Sequence, residues 1–289
     1  MTKIAFLGTG VMGEPMAARL MDKGHDLAVY NRTVAKTHEL IKNGARLAGT
    51  PREAAQDAEV IIAMVGDDEA SEWVWLGADG ALMGAPEGAV AIECSTLSHD
   101  WVLELAAETA KAGFTYIDCP LTGYPHMARA GEVTMFAGAP DADLERVRPI
   151  LEDLSAEIIH FGPIGAGTAY KLMVNLMGSV QIAAAAEGLL IAEKAGLDIA
   201  TAAYALSKGA ASSPQVIRNS KRMVDADHDE NVVFSGHWRL KDTLYGLRLA
   251  EKFGQEARFG EVAGRIYRQL VDDGHGDLNE TKVIDVLRS

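Results

Sequence analysis

The 289-residue chain carries 48% hydrophobic and 24% charged residues and a formal net charge of −14. That is the composition of a globular protein, and the acidic balance argues against a nucleic-acid backbone or an anionic membrane as partner. Two cysteines, Cys94 and Cys119, are too few for a disulfide framework, and no CxxC or His-rich spacing marks a metal site. Glycine arrives at Gly8, too soon for the apolar region of a signal peptide. No uninterrupted run of eighteen apolar residues marks a transmembrane span. A soluble, cytoplasmic protein is expected.

Residues 3–7 read as a short buried strand, followed at once by Gly8-Thr-Gly10-Val-Met-Gly13. A helical pattern begins there, with Pro15 in its first turn, Met16, Ala17, Leu20 and Met21 at helical spacing, and Gly24 as its stop. A second strand covers 26–30. Strand, GxGxxG, helix and strand within roughly 30 residues form the dinucleotide-binding unit. In it Gly8 permits the tight turn, Gly10 lets backbone approach a pyrophosphate, and Gly13 allows close helix–strand packing, while the amides around Val11 and Met12 face the anion.

The tip of the second strand selects the nucleotide. An NAD-preferring site places Asp or Glu there for the ribose 2′-OH; this chain has Asn31-Arg32-Thr33, eighteen residues beyond Gly13. An arginine fork and a hydroxyl suit a 2′-phosphate, so NADP is expected over NAD.

Strands and helices keep alternating. Thr50-Pro-Arg-Glu53 reads as a capping box with proline at the first helical position. Residues 59–65 form a buried strand whose carboxyl end, at Met64 and Val65, lies where such folds bind ligand. Residues 67–76 read as a helix, and 89–94 as a strand ending in Ser95-Thr96, positioned for the nicotinamide end of the cofactor. Ser98 caps a helix running to Gly113. After a strand at 115–118, the prolines and glycines of 120–131 mark an ordered, irregular loop. Strands at 133–137 and 157–161 flank a helix from about Pro140. The alternation stops after Gly162-Pro163, so the domain boundary is expected near 163: a Rossmann domain over 1–163 and an all-α domain over 164–289. The run Asp225-Ala-Asp-His-Asp-Glu230 reads as a solvated loop.

The longest helical pattern opens at Gly165-Ala-Gly-Thr-Ala-Tyr-Lys171-Leu-Met-Val-Asn175 and runs to about Glu193. At 1.5 Å per residue it spans roughly 40 Å, long enough to bridge two masses. Lys171 and Asn175, four apart, share a face and can address one small object. A lone helical lysine is more commonly a solvated surface residue; the preceding glycines and the nucleotide fingerprint upstream favour a cleft position for this one.

With these motifs in order, the chain resembles the β-hydroxyacid dehydrogenases, the family of 3-hydroxyisobutyrate dehydrogenase, tartronate semialdehyde reductase and the glyoxylate/succinic semialdehyde reductases. The resemblance rests on Gly8 to Leu20, on Asp118-Cys-Pro-Leu-Thr-Gly123 closing with Ala130-Gly131, on Gly165 to Asn175, and on Phe234 to Lys241-Asp242. It implies Lys171 as catalytic acid/base, Asn175 as its substrate-binding partner, and Thr122 and Gly123 as holders of a substrate carboxylate. It also implies Ser95 and Thr96 at the nicotinamide and its ribose, Lys241 beside the cofactor, and assembly as homodimers or homotetramers. The implied reaction is the reversible reduction of a small aldehyde or keto acid to a hydroxy acid. Where the family usually has Ser-Gly-Gly, this chain has Thr122-Gly123-Tyr124, which adds bulk and removes backbone freedom; His126, Arg129, His237 and Trp238 are candidates for reshaping specificity. An imine reductase shares the architecture but generally carries Asp or Tyr at the position of Lys171. A non-catalytic nucleotide-binding relative would lack the lysine, and the chain is too short for a decarboxylating 6-phosphogluconate dehydrogenase.

Overall fold

Strand β1 (Lys3–Leu7) alternates its side chains between two covered faces: Ile4 and Phe6 join one apolar cluster, Ala5 and Leu7 the other. A strand buried on both sides reads as a continuous apolar run, as in parallel sheets sandwiched by helices. The computed structural model describes residues 1–288, in two units, Met1–Lys171 and Leu172 onward.

In the first unit β1 is followed by α1 (Gly13–Asp22), β2 (Asp26–Tyr30), α2 (His38–Lys42), β3 (Arg46–Leu47), α3 (Pro51–Ala55), β4 (Val60–Ala63) and α4 (Asp68–Leu76). Then come β5 (Val90–Glu93), α5 (His99–Lys111), β6 (Thr115–Asp118), β7 (Leu121–Thr122), α6 (Pro125–Ala130), β8 (Val133–Gly138), α7 (Asp141–Leu154) and β9 (Ser155–Gly162). The nine strands form one sheet in the order β3-β2-β1-β4-β5-β6-β8-β7, with β9 on β8. From β3 to β6 neighbours are parallel, while β8 runs antiparallel to β6 and β7 and parallel to β9. The strand order reverses between β1 and β4, and ligands of such sheets bind beyond the carboxyl ends at that switch. Met16 and Leu20 of α1 and Leu144, Val147 and Leu151 of α7 pack one face; Trp75 of α4 and Val102 and Leu105 of α5 pack the other.

Local signals account for the helix starts. The Thr50 hydroxyl accepts from the Glu53 amide at 3.1 Å, an Asp67 carboxylate oxygen from Ala70 at 2.8 Å, and the Ser98 hydroxyl from Trp101 at 3.3 Å. The capping box at α3 is shifted by one residue: the Glu53 carboxylate accepts from the amide of Gly49. The stretch 120–131, expected as irregular loop, contains β7 and α6. Pro125 stands in the first turn of α6, and Gly131 ends it in the left-handed conformation at φ 75°. Six residues are too few to show a helical period, so only the start and stop signals marked it.

The second unit is helical. α8 (Ala166–Lys194) carries into it and is followed by α9 (Ile199–Leu206), α10 (Pro214–Val224), α11 (Gly236–Lys252), α12 (Arg258–Leu270) and α13 (Val283–Arg288). Its core joins Ile182, Ala186 and Leu189 of α8 to Tyr267 and Leu270 of α12 and Val283 and Ile284 of α13. By length and composition α8 is also apolar enough to cross a membrane, and its Ile182, Ala186 and Leu189 are buried in this core. Arg239 and Glu280 form a buried ion pair, Nε to Oε2 at 2.5 Å. The acidic run at 225–230 is not wholly solvated. His228 is buried with Nδ1 3.0 Å from the Thr281 hydroxyl, its carbonyl accepts from the Asn279 amide, and Arg222 donates to the Asp227 carbonyl.

Candidate functional site

The turn between β1 and α1 is shaped by what a side chain would hit. A Cβ on Gly8, which has φ 98°, would stand 2.3 Å from the Met64 carbonyl oxygen, and a Cβ on Gly13 would stand 1.9 Å from the Gly8 oxygen. Both glycines are demanded by the protein's own packing. Gly10 differs: a Cβ there would meet nothing within 4 Å, so the space its missing side chain leaves is open for a ligand. Val11 is exposed, α1 has no side-chain cap at its start, and no hydrogen bond among the described residues engages the amides of Val11 and Met12. An open cradle at an uncapped helix start, with amides not engaged among the described residues, fits the pyrophosphate of a dinucleotide.

Asn31 ties this turn to the end of β2. Its Oδ1 accepts from the Thr9 amide at 2.9 Å and its Nδ2 donates to the Thr33 carbonyl at 2.9 Å. Arg32 and Thr33 are exposed beside it. Lys36, a second exposed cation in the following 3-10 turn Val34–Thr37, went unremarked in the sequence.

The ends of β4 and β5 are fastened together. The Val65 amide donates to the Ser95 hydroxyl at 2.7 Å, and the Met64 amide to the Leu7 carbonyl at 2.8 Å. Ser95 is buried, so it belongs to the framework of this edge, and Thr96 beside it is half-buried. Beneath them lies a residue that sequence reasoning missed. Glu93 is buried and accepts from the Ser95 amide at 3.0 Å, the Ser71 hydroxyl at 2.8 Å and the Trp75 indole at 2.9 Å. Burial pushes its carboxyl pKa up, against the pull of those three donors. The one available signal was a carboxylate closing the apolar run Val90-Ala-Ile-Glu93.

Asp118, register partner of Glu93 on β6, was quoted in the sequence only as the start of a motif and given no role. It is fully buried, and its carboxylate accepts from the amides of Gly165 at 2.6 Å and Thr168 at 2.8 Å, the start of α8. Burial raises its pKa to about 6, with the two amide bonds opposing. Lys171 follows as the sixth residue of α8 and is half-buried. Thr122 lies exposed on β7 opposite Thr134, and Gly123 continues from it at φ 148°. Of the residues proposed to alter specificity, Arg129 pairs instead with Asp22 on α1, while His126 stacks on Tyr124 at 5.8 Å between ring centres.

In the second unit Asn175 and Lys241 meet at one carboxylate. Asn175 Nδ2 donates to Asp242 Oδ2 at 2.6 Å, and Lys241 Nζ stands 3.2 Å from Asp242 Oδ1. Asp242 is buried, so it orients the amide and fixes the lysine by direct contact. Lys241 also lies over the rings of Trp238 and Tyr245, 5.4 and 5.2 Å from their centres.

Residues 3–162 match the NAD-binding domain of 6-phosphogluconate dehydrogenase, and 165–287 match the NAD-binding domain of NADP-dependent 3-hydroxyisobutyrate dehydrogenase. The chain is 36% identical over 198 residues to 3-hydroxyisobutyrate dehydrogenase of Pseudomonas aeruginosa, covering 68% of this chain and 66% of the relative. It is 28% identical to glyoxylate/succinic semialdehyde reductase 2 of Arabidopsis thaliana, covering 99% of this chain and 79% of the relative. Among solved structures, 3-hydroxyisobutyrate dehydrogenase of Mycobacterium tuberculosis, with L-serine, superimposes with TM-score 0.88 at 29% identity over 100% of both chains. With the open glycine cradle, the matching motifs and both domain models in agreement, the chain belongs to the β-hydroxyacid dehydrogenase family of 3-hydroxyisobutyrate dehydrogenase, oxidoreductases built on an NAD(P)-binding domain.

Proposed function

We propose that the protein is an NADP-preferring reductase of a small carboxylate-bearing aldehyde or keto acid, working reversibly, with Lys171 as acid and base. What carries the reading is the start of α8. It is bonded to the carboxyl edge of the sheet that also bears the nucleotide turn, and Lys171 follows within two helical turns. The relatives named for hydroxyisobutyrate and for glyoxylate and succinic semialdehyde support the substrate class.

The cofactor supplies or takes the hydride. As the carbonyl oxygen gathers charge, the Lys171 ammonium stabilises it and delivers a proton; in the reverse direction the neutral amine accepts one. Asn175 orients the oxygen without adding charge, its own amide nitrogen held by Asp242. Thr122 and Gly123 offer a hydroxyl and an amide to the substrate carboxylate, and Arg32 with Thr33 receives the 2′-phosphate.

The test is NADPH oxidation against glyoxylate, succinic semialdehyde, methylmalonate semialdehyde, tartronate semialdehyde, a sulfonated aldehyde and a cyclic imine, repeated with NADH. Turnover of one acid aldehyde with NADPH is expected. Lys171→Ala should bind NADPH as the parent does and lose kcat by about 10²–10⁴. Undiminished turnover in that variant, or reduction of the imine alone, sinks the proposal.

A further inference from the structure

A helix begins with amides that have no partner inside it, and a side chain at the residue before the first turn normally satisfies one of them. α8 has Gly165 at that position, with no side chain to offer and φ 90°. The missing cap is supplied from the sheet. Both oxygens of Asp118, at the end of β6, are used, one by the Gly165 amide and one by the Thr168 amide. These donors lie three residues apart, so together they set both the height and the rotation of the helix start. Sliding or turning α8 by one residue would break at least one of the bonds.

Two further contacts allow and reinforce this docking. A Cβ on Gly167 would stand 2.1 Å from the Phe136 carbonyl oxygen, and one on Gly138 would stand 2.3 Å from Asp118 Oδ1. Glycine at both places lets helix backbone lie directly on β8. On the next turn Tyr170 stacks on Phe161 at 4.2 Å and meets Phe136 edge-on at 4.7 Å between ring centres. Lys171 adjoins Tyr170 and lies three residues beyond Thr168, on the same side of the helix.

We propose that Asp118 is a positioning residue: its carboxylate, capping α8 across the fold, sets where the Lys171 amine stands. A helix needing only a cap would be served by Ser or Asn at its own start, at less cost than a fully buried carboxylate. A cap borrowed from the sheet instead links the lysine to the edge that carries the nucleotide turn. This rests on the assignment of Lys171 as acid and base.

The experiment is a double-mutant cycle between Asp118→Asn and Lys171→Ala, with exchange of backbone amides read over residues 162–171. Asparagine can accept only one of the two amides and presents a donor to the other. Faster exchange at Gly165 and Thr168 is expected in D118N, with kcat lowered at least about tenfold and the Kd for NADPH within about twofold of the parent. D118N should cost nothing more in the K171A background, because its effect passes through the lysine. Unchanged exchange, unchanged kcat, or an additive loss in the double variant each overturns the proposal. Full turnover in K171A alone would instead overturn the Lys171 assignment, leaving the exchange result to judge the cap. Should D118N not fold, Asp118→Glu keeps the charge, shifts the acceptors by one methylene and carries the same expectations.

Discussion

The amide of Thr9 donates to Oδ1 of Asn31 at 2.9 Å, so the nucleotide turn after β1 is held by the residue that follows β2. Removing that acceptor leaves a backbone donor unmatched and the turn free to relax. Asn31→Ala should weaken NADPH binding by about 5- to 30-fold, the equivalent of roughly 1–2 kcal/mol for one such bond. Fluorescence titration of the reduced cofactor measures it.

Arg32 stands exposed at the same edge. If its guanidinium receives a 2′-phosphate, Arg32→Ala should raise the Kd for NADPH about 10- to 100-fold and leave NADH nearly unchanged, as expected for one charge-assisted contact. Equal effects on both nucleotides would place the arginine elsewhere.

The glycines of the turn should separate into two kinds. Gly10→Ala has room for its methyl and should melt within a few degrees of the parent, yet bind cofactor at least about tenfold less tightly. Gly13→Ala would drive a methyl to 1.9 Å from the Gly8 oxygen and should cost roughly 3 kcal/mol or more. Thermal melts with and without NADPH distinguish them.

Glu93 is surrounded by donors alone: a hydroxyl, an indole and an amide. Glutamine there would turn an N–H toward one of them. Glu93→Gln should therefore destabilise the fold by about 2–4 kcal/mol in urea titrations at pH 7.

Asp118 gives a pH signature. Its carboxyl rises from 3.8 to about 6, mainly through burial, so the folded chain holds that proton more tightly than the unfolded one. The stability this contributes is present in full below about pH 4 and is lost as pH climbs through 6, a change of roughly 3 kcal/mol. Its charge faces the amides of Gly165 and Thr168; the neighbouring Cys119 thiol and Tyr116 phenol are pushed to higher pKa mainly by their own burial, with the Asp118 charge adding to it, so both stay neutral over that range. The stability of the parent relative to D118N should fall by that amount between pH 4 and 7 in paired urea titrations.

What could be read from the sequence was whatever local geometry encodes. The β1–turn–α1 unit was legible because its glycine spacing answers to backbone constraints within a few residues, and Thr50 and Ser98 cap helices just beside them; Asp67, read as the first helical residue, is the cap of α4. The register of β6 with β5 was not, so Glu93 drew no reading and Asp118 only its place in a motif, their partners Trp75 and Gly165 lying elsewhere in the chain. Asp242 was quoted only as the neighbour of Lys241; its hold on Asn175 spans 67 positions. His228, in a run that looked solvated, is buried by Thr281, 53 residues away. In each case the missing information was a distant partner, which no residue spacing carries.

The division between the two units falls inside α8, after Lys171, while the family models change over between 162 and 165. A recombinant splicing two relatives at the latter point would inherit its lysine, its Gly-x-Gly and Tyr170 from one parent, and Phe136, Phe161 and the strands they fit from the other. A crossover after Lys171 would keep that matched set from a single ancestor. Shuffling libraries should return working hybrids from the second junction more often than from the first.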